Sequence, residues 1–160
     1  MASCKGCEQL FRGKCKLGFE VEKVEGDYKR PWKCTKKYKK EPKITDSWLN
    51  KKLDDLWSKN VRKRGRCEVC GRTENLHAHH IFTRTKHITR WDLQNGVCLC
   101  YHHHFNFAHQ TPMEFHDWLV ELKGAEWVDK LRFKSNQIAK FSMEKKMEMI
   151  EKLQEEYNKK

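Results

Sequence analysis

Two segments, "LHAHHIF" (Leu76–Phe82) and "NGVCLCYHHHFNFAH" (Asn95–His109), hold seven of the nine histidines in the chain. Their side chains could pack a core, ligate zinc, or handle a proton and a phosphate. The local pattern constrains the backbone first. "LHAHHIF" has too few residues between turn signals for a full helix and suits a short strand. "WDLQNGVCLC" places Asn95-Gly96, a strong hairpin turn pair, ahead of a second strand. "YHHHFNFAH" contains no breaker and can begin a helix. The predicted order is therefore strand, long loop, turn, strand, helix.

The cysteines around these segments fall into metal-ligand spacing. Cys67 and Cys70 of "RCEVCGR" have the separation of a zinc knuckle, with Gly71 placed to let the chain reverse. A lone CxxC is weak, but Cys100 and His103 of "CYHHH" repeat the two-residue separation, and three thiolates with one imidazole form an accepted structural zinc set. Cys98 lies two residues before Cys100 and would share its face on a strand, while His102 and His104 flank His103. Spacing favours Cys100 with His103, and Cys98 is then most simply a small buried hydrophobe. Zinc of this kind contributes about 10 to 16 kcal/mol of apparent free energy in small peptides, enough to dominate the folding of a polar domain.

With His103 assigned to zinc, His79, His80 and His104 remain grouped in sequence around Asn95. Adjacent histidines can divide their work: one coordinates a divalent ion, the other accepts a proton near neutral pH. His77 reads as support for His79, whereas His87, His109 and His116 read as structural or surface residues, the alternative for His109, five residues after His104, being reach of the same metal. The paired histidines at 79 and 80, Asn95 fifteen residues after His80 and His104 nine residues after Asn95, interleaved with CxxC and "LCxxHH", resemble the HNH endonuclease family. The flanking "LDDLWSKNVRKRGRC" and "HQTPMEFHDWL" are similar to its phage-type members. The resemblance covers about residues 65 to 109 and departs from the family at position 103, where cysteine is usual.

What the resemblance implies is a ββα-metal fold and metal-dependent hydrolysis of DNA phosphodiester bonds, by double-strand cleavage or nicking. His79 and His104 would hold the catalytic divalent ion, magnesium or manganese, and His80 would be the general base. Asn95 would orient the hairpin through hydrogen bonds or, as in some members, touch the metal. Arg62, Lys63, Arg64, Arg84, Lys86 and Arg90 flank this core and are candidate contacts to the DNA backbone.

The rest of the chain agrees with a nucleic-acid partner. Its 160 residues carry a formal charge of +12, and residues 1 to 66 hold twenty lysines and arginines against nine acids. Aromatic residues are interleaved among them, as in "RPWKCTKKYKK". Residues 1–44 form a basic, turn-rich segment in which Cys4, Cys7, Cys15 and Cys34 are the candidate ligands of a second zinc, the alternative being a loose arm with reduced thiols. A helix is predicted from Asp46 or Ser47 to near Gly65, because Trp48, Leu49, Leu53, Leu56, Trp57 and Val61 recur at three- and four-residue spacing. It leads into a core over residues 45–110.

Residues 111–160 read as helical. Thr111, Pro112 and Glu114 form a TxxE capping signature for a helix ending at Gly124. Met143, Met147, Ile150, Leu153 and Tyr157 mark one face of a last helix, which either covers the core or forms the seam of a homodimer. No secretory run opens the sequence and no stretch has the length of a membrane span, so a cytoplasmic setting is expected, that of a bacterial host if the chain is phage-encoded. The predicted class is α+β, a small zinc-stabilised core with flanking helices. The competing function is a zinc-finger-like module that binds nucleic acid without cutting it.

Overall fold

The first long helix follows directly from its sequence. The Thr45 hydroxyl accepts a hydrogen bond from the Trp48 amide (3.1 Å), capping α1 (Asp46–Arg62). Leu49, Leu53, Leu56, Trp57 and Val61 form its buried face. The helix ends three residues before Gly65, whose φ of +77° suits glycine. The structure, a computed structural model, describes residues 10–11, 14–15, 20–25, 27–29 and 44–159.

Strands β5 (Leu76–His80) and β6 (Gly96–Cys100) pair antiparallel, with His79 opposite Val97 and His80 opposite Gly96. Side chains alternate across such a sheet, so His77 and His79 share one face with Val97 and Leu99, and Ala78 and His80 share the other with Cys98. Two cores result. Val97, Leu99, Phe115 and Leu119 pack together on the first side, and Cys98 packs with Leu53, Trp57, Val61 and Leu153 on the second. Cys100, at the end of its strand, joins the first cluster rather than sharing the environment of Cys98.

The expected Asn95-Gly96 hairpin turn does not form. Leu93–Asn95 make one turn of 3-10 helix, and Gly96 is extended at φ −118° and begins β6. Both residues are used for longer-range reasons. Asn95 is fully buried; its amide donates to Phe82 O (2.8 Å) and Thr89 O (3.0 Å) while its oxygen accepts from Phe82 N (2.7 Å). It thereby bolts the ends of the loop over residues 81–95. Gly96 lies under α1, where a Cβ would stand 2.4 Å from Val61 Cγ2 and 2.9 Å from Trp57 Cζ2. The glycine is there for close approach.

After β6 the chain winds into a π-helix, His103–His109, followed by α2 (Pro112–Lys123), α3 (Ala125–Ser135) and α4 (Met143–Asn158). The TxxE box is absent. The Thr111 hydroxyl donates instead to Phe107 O (3.0 Å) and makes no bond to the first turn of α2, while Pro112 opens that helix as expected. The apolar stripe of α4 divides: Leu153 is buried and Ile150 packs beside it, whereas Met143, Met147 and Tyr157 remain exposed. Asn60 of α1 ties the two helices by donating to Leu153 O (2.9 Å).

The chain is α+β and separates into two compact units, Met1–Lys43 and Ile44–Lys160. The first unit contains two short antiparallel pairs, β1 (Leu10–Phe11) with β2 (Lys14–Cys15) and β3 (Glu22–Val24) with β4 (Asp27–Lys29). Cys15 is half-buried on β2. Cys4, Cys7 and Cys34 lie outside the described residues, and with them the candidate second zinc set. Among the described residues no helix is long and apolar enough to cross a membrane.

Candidate metal centres

Cys67, Cys70, Cys100 and His103 converge with their ligand atoms all within 4.8 Å of one another. The knuckle closes through Gly71 N donating to Cys67 O (2.8 Å) and Cys67 N donating to Arg72 O (2.7 Å), with Gly71 at φ +74°. Cys70 Sγ and Cys100 Sγ are 3.9 Å apart, and Cys67 Sγ and His103 Nδ1 are 3.6 Å apart. Zinc bond lengths of ~2.3 Å to sulfur and ~2.0 Å to nitrogen make a tetrahedron with edges of about 3.8 Å between sulfurs and about 3.5 Å from sulfur to nitrogen. The donor set fits, and this cluster could hold a metal such as zinc.

The thiols are also unequal. Burial works against ionising Cys67, but backbone amides, that of Cys100 foremost, outweigh it and hold the thiol below its ordinary range. At Cys70 the Arg72 amide favours the thiolate, yet burial and the neighbouring Cys67 and Cys100 push it up. A divalent ion would relieve this crowding of sulfurs.

A second cluster sits on the next residue of the helix. His79, His104 and His109 bring ligand nitrogens within 4.8 Å of one another, with Phe115 against His79 (ring centroids 5.1 Å). His109, read from the sequence as a structural or surface residue with reach of the same metal as the alternative, is the third member. The reason is the winding. Five residues at about 100° each would put His109 roughly 140° around an α-helix from His104. In a π-helix the i→i+5 hydrogen bonds stack such residues one turn apart. The two rings are 4.8 Å apart here.

His79 is 8% exposed, and burial, followed by the facing His104 and His109, pushes its imidazole down to about 3. Burial and His109 likewise take His104 down to about 4. Both rings are neutral at ordinary pH, the form in which an imidazole can accept a metal. His104 Nδ1 is also buried without a hydrogen-bond partner, a costly condition that metal coordination would relieve. His77 stacks on His104 (5.2 Å) and lies on the same strand face as His79.

His80 points to the opposite face. Its ring stacks on Trp57 (3.6 Å, 11°), and its Nε2 lies 2.9 Å from Arg90 O. A carbonyl only accepts, so the neutral ring carries its hydrogen on Nε2 and its lone pair on Nδ1. Burial holds this imidazole below the usual histidine range.

The basic candidates separate by environment. Arg90 forms a two-pronged pair with Asp54 (2.9 and 2.7 Å). Arg64 reaches Gly96 O (2.7 Å) and Leu93 O (2.9 Å). Both hold the loop in place. Arg62, Lys63, Arg84 and Lys86 are exposed, with Arg62 bonded to Ser58, Lys63 to Tyr157 O and Lys86 to Asn136. The chain was compared with protein-family models, curated proteins and solved structures, and none of them matches it.

Proposed function

We propose that this protein is a metal-dependent DNA endonuclease or nickase of the HNH type, in which His79, His104 and His109 hold a divalent ion and His80, the next residue of β5, activates water. The observation that carries this reading is the pairing of three convergent imidazoles with a fourth, adjacent in sequence, whose tautomer is fixed by Arg90 O. A structural cluster needs no such neighbour. The zinc-type set of Cys67, Cys70, Cys100 and His103 accounts for folding and leaves the triad for chemistry.

Each residue then has a separate task. His80 accepts a proton from water at Nδ1 while Nε2 stays bonded to Arg90 O. A divalent ion in the triad would offset charge building on the phosphoryl oxygens and assist departure of the 3′ oxygen. Three imidazoles favour a borderline transition ion such as zinc or nickel over magnesium or manganese, which prefer oxygen donors. Asn95 keeps the loop closed and is not among the convergent nitrogens. Exposed Arg62, Arg84 and Lys86, together with the basic residues of Met1–Lys43, supply contacts to the DNA backbone.

The test is cleavage of supercoiled plasmid and of branched and single-stranded DNA, each across a series of magnesium, manganese, zinc and nickel concentrations. H80A should retain metal and DNA affinity yet lose on the order of 10² to 10⁴ in rate. H79A, H104A and H109A should each raise the metal concentration required. DNA binding without cleavage under any ion would replace this reading with that of a zinc module that only binds.

A further inference from the structure

We propose that α1 positions the general base, with Asp54 acting on His80 through Arg90. The catalytic consequence rests on the proposed nuclease reading; the positioning itself rests on geometry alone. Asp54 Oδ1 accepts from Arg90 Nε (2.9 Å) and from Trp91 Nε1 (2.7 Å), and Oδ2 accepts from Arg90 Nη2 (2.7 Å). Three donors from two consecutive loop residues therefore converge on one carboxylate. The guanidinium fork and the indole together fix the side chains of residues 90 and 91, and hence the peptide between them. The carbonyl of that peptide, Arg90 O, is the one that receives His80 Nε2.

Trp57, three residues after Asp54 and on the same side of the helix, completes the hold. Its indole N–H donates to Asp92 O (2.9 Å), and its ring lies flat against His80. One helix thus grips residues 90, 91 and 92 and supplies the surface on which the imidazole rests. An ordinary surface ion pair makes one interchangeable contact and leaves the backbone free. Here the pair fixes the acceptor that decides which ring nitrogen carries the proton. Asp54 is a positioning residue: it touches neither substrate nor the reacting atoms.

The experiment uses the full-length, zinc-loaded protein and its variants D54A, D54N and R90K. Nitrogen–proton NMR of the histidine rings reads the His80 Nε2–H signal and its protection from solvent exchange, and steady-state cleavage of plasmid DNA gives kcat and KM. D54A should lose the protected signal, and its kcat should fall on the order of 10-fold to 10²-fold, the scale of a small misplacement of a catalytic group. Its KM should stay within about twofold, since no contact to DNA is removed. D54N keeps an acceptor oxygen and should recover part of both.

If D54A loses zinc or cooperative melting, R90K carries the comparison, because lysine keeps the charge and the carbonyl but not the fork. A protected His80 signal with parental kcat in the informative variant overturns the proposal. Loss of the signal in a protein whose parent cleaves nothing supports the positioning and removes the nuclease reading.

Discussion

Replacing Gly96 by alanine places a methyl carbon 2.4 Å from Val61 Cγ2 and 2.9 Å from Trp57 Cζ2. Carbon atoms in good contact lie about 3.5 to 4.0 Å apart, so α1 and β6 must separate by roughly 1 Å. Neither neighbour has space to retreat, Val61 being 0% and Trp57 2% exposed. The backbone itself raises no objection, since φ is −118°, and restricting the unfolded chain favours alanine by about 0.4 to 1 kcal/mol. Overpacking costs about 1 to 3 kcal/mol and wins. The net expectation is a loss of roughly 1 to 2 kcal/mol, measured by urea unfolding at fixed free zinc so that metal linkage is constant.

Val61→Ala removes the nearest atom. The double variant should therefore be more stable than the sum of the two single changes, by about 0.5 to 2 kcal/mol. Because Trp57 carries the His80 ring, the proposed nuclease reading adds that G96A should lose cleavage rate beyond its loss of folded protein. Stability within about 0.5 kcal/mol of the parent, or strict additivity with V61A, would refute the close-approach argument.

Three further outcomes are expected. Cys100→Ser should lose zinc and melt at lower temperature, while Cys98→Ser should keep its zinc; the reverse pattern in elemental analysis would exchange their roles. The metal-stripped protein should lose stability as the pH falls below about 6.5, because the unfolded chain takes up protons there that His79, depressed to about 3, refuses in the folded state. Stability is intact above the unfolded value and declines toward the folded one by about 1.4 kcal/mol per pH unit from His79, so a flat profile between pH 6 and pH 4 contradicts its burial as a neutral ring. Removing residues 1–43, which hold thirteen lysines and arginines against six acids, should weaken DNA binding and flatten its salt dependence while zinc content stays constant; unchanged affinity rules out a role for that segment.

Features set by short-range chemistry were legible in the sequence. The Cys67–Cys70 and Cys100–His103 pairs can be read from spacing because a tight turn dictates which side chains reach one ion. The periodicity of α1 and the Pro112 and Gly124 limits of α2 are likewise local. Features decided across the fold were hidden. Asn95-Gly96 carries a turn preference that lost to the buried bonds of Asn95 and the press of α1 on Gly96. The Thr111 hydroxyl was drawn away by Phe107 O. Asp54 stands 36 residues from Arg90, and nothing in either neighbourhood announces the other.

The π-winding of His103–His109 has a consequence for insertions and deletions. One residue added to an α-helix turns everything beyond it in that helix by about 100°, which here would swing His109 away from His104. A wide turn takes up such a residue where it occurs and keeps the two imidazoles facing one another. Shortening the exposed stretch Phe105–Asn106 by one residue, with a return to α-winding, would set the same two imidazoles four positions apart and still facing one another. A search for ligand pairs at fixed intervals would register one version and pass over the other. The interval between two ligands thus belongs to the pitch of the backbone as much as to the letters between them.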